Sequence, residues 1–148
     1  AYRKQASMKV LFDTNVVLDL LLNRDEFVSD ASLLISKVDA GEIDGFLCAT
    51  TITTIHYLLE KSLNSSQAAI HTKTLLNIFN IAPVSSEILE KALNPKFDDY
   101  EDSVLHEAGL GVDVDSIVTR DYTGFKHAAV PVYTPKELIA VLALELKY

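Results

Sequence analysis

The 148 residues carry 13 Lys and Arg against 21 Asp and Glu, a formal net charge of −8, with 49% hydrophobic and 23% charged residues. This balance is that of an ordinary globular chain, so disordered and fibrous architectures are excluded. The acidity also argues against a general polyanion binder, which needs Lys and Arg to displace counterions from phosphates.

Residues 1–7 are polar and precede Met8, the sole methionine; they are expected to be an added extension ahead of one domain spanning 8–148. Lys9-Val10-Leu11-Phe12 is a short apolar run ending in Asp13, and Thr14 or Asp13 can cap the helix marked by Val16, Val17, Leu20 and Leu21. A second helix is predicted over Phe27 to Val38, stopping before Gly41, and a second strand over Gly45 to Ala49. Cys48 lies there as a buried filler; as the only cysteine it excludes an internal disulfide or a Cys-rich zinc site and fits a reducing, cytoplasmic setting.

Ile52, Ile55, Leu59 and Leu63 line one side of the next helix, against the weak helix propensity of Thr50, Thr51, Thr53 and Thr54. After Ser65 and Ser66 another helix is predicted through Leu76, then a strand over Ile78 to Val84 and a short helix over Ser86 to Leu93. Asn94-Pro95 breaks the chain. A helix follows from about Asp99 to Ala108, a turn at Gly109 and Gly111, a strand over Ser116 to Thr119, a last strand around Val130 to Tyr133 and a helix from Pro135. Alternating strands and helices predict an α/β fold with a mostly parallel sheet covered on both faces. Asp19 and Glu145 interrupt the two most apolar stretches, so no membrane span is expected.

Ligands of open parallel sheets gather beyond the carboxyl ends of the strands, where Asp13 and Asp121 both stand. Each alone is accounted for by capping; together they point at one edge. In Phe97-Asp98-Asp99-Tyr100-Glu101-Asp102, the spacing of Asp98 and Glu101 suits a capping box, whereas Asp102 shares the expected buried stripe with Leu105 and Ala108 or Gly109. No Lys or Arg lies one helical turn from Asp102, so its partner is a distant basic side chain or, as favoured here, a cation. Oxygen-only ligands select Mg2+ or Mn2+, which suit phosphodiester hydrolysis.

Leu11-Phe12-Asp13-Thr14-Asn15-Val16-Val17-Leu18-Asp19, Asp99-Tyr100-Glu101-Asp102-Ser103-Val104 and Ile117-Val118-Thr119-Arg120-Asp121, with Phe125 closing a TRDxxxF-like turn, resemble PIN-domain ribonucleases in order and spacing. The resemblance implies a three-layer α/β/α sandwich, a metal-dependent endoribonuclease and frequent service as the toxin of a toxin–antitoxin pair. Asp13, Asp102 and Asp121 match the family's metal-binding acids. Asn15 and Thr119 would orient those carboxylates, Arg120 would meet a substrate phosphate, and Asp99 and Glu101 would assist. Many members carry Glu in the helix after the second strand where Thr54 stands, leaving one metal, weak metal binding or recruitment of Glu101 as outcomes. The implied partners are RNA and an antitoxin-like protein. Apart from the resemblance, Tyr57, Leu58, Tyr133 and the aliphatic C-terminal helix are read as core packing first and as a homodimer surface second.

The alternative is a catalytically silent PIN-like module that binds RNA or protein. His56, His71, His106 and His127 lack paired ligand spacing and are expected at the surface or its boundary. Gly109-Leu110-Gly111 runs from helix to strand, the reverse of a dinucleotide fingerprint, and no phosphate-binding Gly-rich Lys-Ser or Lys-Thr loop is present. A phosphatase with a nucleophilic Asp would need a second Asp where Asn15 stands.

Overall fold

The computed structural model describes residues 7–145. The expected extension at 1–7 lies outside the described residues except for Ser7, whose hydroxyl donates to the Gly41 carbonyl at 3.2 Å. The order is β1 (Lys9–Phe12), α1 (Thr14–Leu21), α2 (Val28–Asp39), β2 (Asp44–Cys48), α3 (Ala49–Ser62), α4 (Ser65–Ile78) and β3 (Asn80–Ala82). Next come α5 (Ser86–Lys91), α6 (Tyr100–Gly111), β4 (Ser116–Val118), a 3-10 turn (Thr123–Phe125), β5 (Val132–Tyr133) and α7 (Pro135–Glu145). The strands form one all-parallel sheet in the order β3-β2-β1-β4-β5.

Strand alternation makes the three layers. Val10 and Phe12 of β1, Leu47 of β2 and Val118 of β4 face a core built with α1, α2, α3, α4 and α7. Leu11, Phe46, Cys48 and Ile117 face the opposite core, where Val104, Leu105 and Ala108 of α6 pack with Phe97 and Phe125. Close approach explains two glycines. A methyl at Gly45 would lie 2.7 Å from Val38 Cγ1, and one at Gly109 would lie 3.1 Å from Leu11 Cδ2. Gly109 and Gly111 therefore belong to α6 rather than to the predicted turn, which falls at Val112 and Asp113, the latter at φ +59.

The predicted strand over Ile78 to Val84 is only Asn80–Ala82: α4 runs through Ile78, and Pro83 has no N–H for a ladder. In the Ser/Thr-rich stretch α3 starts after Cys48 with no side-chain cap, whereas α4 starts where a side chain satisfies its first turn. Asn64 Oδ1 accepts from the Gln67 amide at 2.8 Å, so α4 begins at Ser65 itself. No described helix is long and apolar enough to cross a membrane.

Candidate active site

β1 lies between β2 and β4, so successive connections leave the sheet in opposite directions at its carboxyl edge, the switch point where parallel sheets open a crevice. Asp13 follows β1 directly and is the N-cap of α1: Oδ1 accepts from the Thr14 amide at 2.7 Å. Its other oxygen accepts from Thr119 Oγ1 at 2.7 Å and from Asn15 Nδ2 at 3.3 Å. Thr119 also accepts from the Asp121 amide at 2.9 Å, tying the ends of β1 and β4 together. Asn15 and Thr119 thus sit where they orient Asp13.

The third strip of the site is the start of α6. Its N-cap is Asp99, whose Oδ1 accepts from the Asp102 amide at 3.0 Å; this corrects the expected Asp98 and Glu101 capping box and leaves Glu101 free to turn elsewhere. Glu101 Oε1 accepts from Thr54 Oγ1 of α3 at 3.3 Å. Asp102 is half-buried, unlike Leu105, Ala108 and Gly109, which fill the stripe below it.

The acids feel one another. Burial pushes the Asp13 carboxyl above its ordinary range, opposed by its hydrogen bonds from Thr119 and Thr14 and reinforced by Asp121 and Glu101. Asp102 is pushed up to about 7 by burial and then by Asp13, Asp99, Asp121 and Glu101. Among the described residues, none of Asp13, Asp99, Glu101, Asp102 or Asp121 forms a salt bridge.

Asp102 and Asp121 close on one point. A Cβ at Gly124 would lie 2.7 Å from Asp102 Oδ2 and 2.8 Å from Asp121 Oδ2, so the bare glycine leaves open a cradle that any side chain would fill. Gly124 also donates its amide to Asp121 Oδ1 at 3.2 Å, fixing that carboxylate. An all-oxygen donor set without basic partners fits a hard divalent ion. Among the described residues no three His, Cys, Asp or Glu side chains are already gathered to hold an ion, so two acids face the cradle and Asp13 stands braced beside them.

Arg120 behaves differently from its expected contact with a substrate phosphate. Its Nε and Nη2 donate to Asp19 Oδ2 and Oδ1 at 2.6 and 3.0 Å, and its guanidinium lies 3.8 Å above the Phe27 ring. The fork is occupied inside the fold. Sequence reasoning used Asp19 as the end of the opening motif and as a break in an apolar run and gave it no partner, although a carboxylate at that place signals a buried one. It also passed over Gly124, whose only sequence signal is its place inside the turn after Asp121.

His106 corrects the surface expectation for the histidines. It is buried against Phe97 with ring centroids 4.9 Å apart, and its Nε2 accepts from the Ala129 amide at 3.0 Å. Nδ1 has no hydrogen bond, although Glu107 Oε1 lies 3.4 Å away.

The sequence pattern of the PIN domain family matches residues 9–123, a span that runs from β1 through Asp121 and reaches the 3-10 turn. The chain belongs to the PIN domain family. The fold resembles that of a toxin–antitoxin complex from Klebsiella pneumoniae, with TM-score 0.65, 23% identity, and coverage of 85% of this chain and 97% of that one. It also resembles FitAcB from Neisseria gonorrhoeae, with TM-score 0.62, 20% identity, and 86% and 98% coverage. VapC20 of Mycobacterium tuberculosis, described as a Sarcin-Ricin loop cleaving toxin, superposes with TM-score 0.60, 12% identity, and 73% and 86% coverage. No curated protein matches the chain in sequence. These structures share the fold of this PIN domain.

Proposed function

We propose that this PIN domain is a cytoplasmic, Mg2+- or Mn2+-dependent endoribonuclease that hydrolyses RNA phosphodiester bonds and serves as the toxin of a toxin–antitoxin pair. The observation that carries the reading is the cradle at Gly124, lined by Asp102 and Asp121 carboxylate oxygens, beside Asp13 and without a basic side chain to neutralise them. Crowded carboxylates in a partly desolvated cleft are costly unless a cation joins them.

Asp13, Asp102 and Asp121 would hold the ion. When bound, the divalent ion supplies Lewis acidity, countering charge that develops on the scissile phosphate and acidifying water. The chain's own groups do the rest. Thr119 and Asn15 hold Asp13 in one orientation, and Asp99 fixes the start of α6 under Asp102. Glu101, hydrogen-bonded by Thr54 Oγ1 where many relatives carry their own acid, is the carboxylate that would accept a proton from water. A net charge of −8 repels RNA, so phosphate would be drawn to these acids only once a cation had offset them.

An antitoxin-like protein is the proposed partner, with the toxin–antitoxin complex from Klebsiella pneumoniae among the similar structures as its support; a second copy of the chain is the other. The test is cleavage of RNA with Mg2+ or Mn2+ by the wild type, Asp13→Asn and Asp102→Asn. Loss of cleavage in both variants is expected; equal activity in all three proteins overturns the assignment. The binding-module reading has one observation in its favour, the absence of a closed three-acid set among the described residues. It predicts no carboxylate-dependent uptake of Mn2+.

A further inference from the structure

We infer that Asp19 and Arg120 are positioning residues for the catalytic edge: the ion pair anchors the turn after β4 to α1 and so holds Asp121 opposite Asp102. The inference rests on the metal-site reading above and adds to it a pair of residues outside the acidic cluster.

Asp19 lies in α1, beyond the first turn that Asp13 caps, and its side chain is 1% exposed. A carboxylate so buried needs charge, and Arg120 supplies it through a side-on fork of 2.6 and 3.0 Å, the geometry in which a guanidinium is least free to turn. Phe27, 3.8 Å beneath the guanidinium, closes the remaining face. Arg120 is thereby fixed at its tip.

Its backbone is the link between two functional neighbours. On one side Thr119 donates to Asp13; on the other Asp121 lines the cradle; the Arg120 amide itself donates to Asn15 Oδ1 at 3.3 Å. Asp121 is exposed and its side chain accepts only from the Gly124 amide among the described residues, a local bond within its own turn. What places that turn against α1 is therefore Thr119 at one end and the Arg120 fork next to it. Arg24 provides an internal comparison: its Nη1 donates to the same Asp19 carboxylate at 3.2 Å, but it lies three residues beyond α1 and, among the described residues, its side chain makes no hydrogen bond to the turn after β4.

The experiment compares Asp19→Asn, Arg120→Lys and Arg24→Ala with the wild type, reading amide hydrogen exchange without metal and Mn2+ binding by calorimetry. Loss of a residue that orients metal ligands weakens metal affinity by about 10- to 100-fold. Asp19→Asn and Arg120→Lys are expected to weaken Mn2+ binding by about tenfold and to speed exchange of the Arg120, Asp121 and Gly124 amides by about tenfold, with Leu11 and Ile117 unchanged. Arg24→Ala should leave both readings near wild type. Arg120→Lys keeps the charge and loses only the fork, so it carries the test should Asp19→Asn fail to fold. Unchanged exchange in the turn, or an equal effect from Arg24→Ala, overturns the positioning role. Absence of Mn2+ uptake by the wild type would instead overturn the metal reading, and exchange alone would then decide the anchor.

Discussion

Helix α1 carries two buried carboxylates with opposite fates. Asp19, fully buried, is met by two guanidinium groups, whereas Asp13, 7% exposed, is met by a hydroxyl, two N–H groups and other acids. Burial is nearly the same; the partner differs. A carboxylate already neutralised within the chain has no electrostatic need of a ligand and serves as structure, while one left among acids is poised for a cation from outside. The contrast separates an acid of α1 neutralised within the fold from the N-cap acid proposed to hold a metal ion.

The largest expected effect breaks the structural half of that contrast. Asp19→Leu leaves Arg120 and Arg24 without their shared acceptor, and removing one side of a buried ion pair costs about 3–5 kcal/mol when the other charge stays buried. Arg120 and Arg24 are 27% and 40% exposed, so they regain part of their hydration. A loss of about 3 kcal/mol in urea unfolding is therefore expected, the lower end of that range. A loss below about 1 kcal/mol would place the pair with ordinary surface bridges instead.

The functional half is sharpened by Gly124→Ala, which removes no acid. The new methyl would lie 2.7 Å from Asp102 Oδ2 and 2.8 Å from Asp121 Oδ2, so both carboxylates must rotate away from the point they share. Flexible side-chain ends can yield, and the fold is expected to survive. Mn2+ affinity should fall about tenfold, equivalent to about 1.4 kcal/mol. Binding equal to wild type would show that the ion, if taken up, sits elsewhere.

Much of this was legible before the structure because periodicity and strand ends carry it. The alternation of strands and helices implied the parallel sheet that the fold displays; Asp13, Asp102 and Asp121 were expected to converge, and among the described residues Asp102 and Asp121 both approach Gly124 while no three acids are gathered to hold an ion. What escaped the sequence depends on distance in space. Nothing local ties Asp19 to Arg120, 101 residues apart, and an arginine beside a candidate catalytic acid reads naturally as a substrate contact. Gly109 looked like a turn because its need for closeness to Leu11 exists only once α6 lies on the sheet. The capping role moved from Asp98 to Asp99 because adjacent acids are indistinguishable by spacing until the helix start is fixed.

The smallest expected effects concern pH, and two groups on α6 pull in opposite directions. Asp102 has a folded value raised from 3.8 to about 7, so its contribution to stability is fully present below 3.8 and is lost as pH rises through about 7. In metal-free buffer Asp102→Asn should therefore melt slightly higher than wild type above neutral pH, with the gap closing on acidification. Burial holds His106 below its ordinary 6.5, opposed by Glu107, so its contribution to stability is fully present above 6.5 and is lost as pH falls below that value through the lowered folded one. His106→Gln can still offer an oxygen to the Ala129 amide while removing the titration. Its melting temperature should fall less steeply than wild type below pH 6.5. Parallel curves for the two proteins would remove His106 as a source of acid sensitivity and leave that slope to other groups. Separate measurement of both variants is needed because the wild-type curve contains the two slopes at once, and a flat profile near neutrality would otherwise conceal the repulsion at the carboxylate edge.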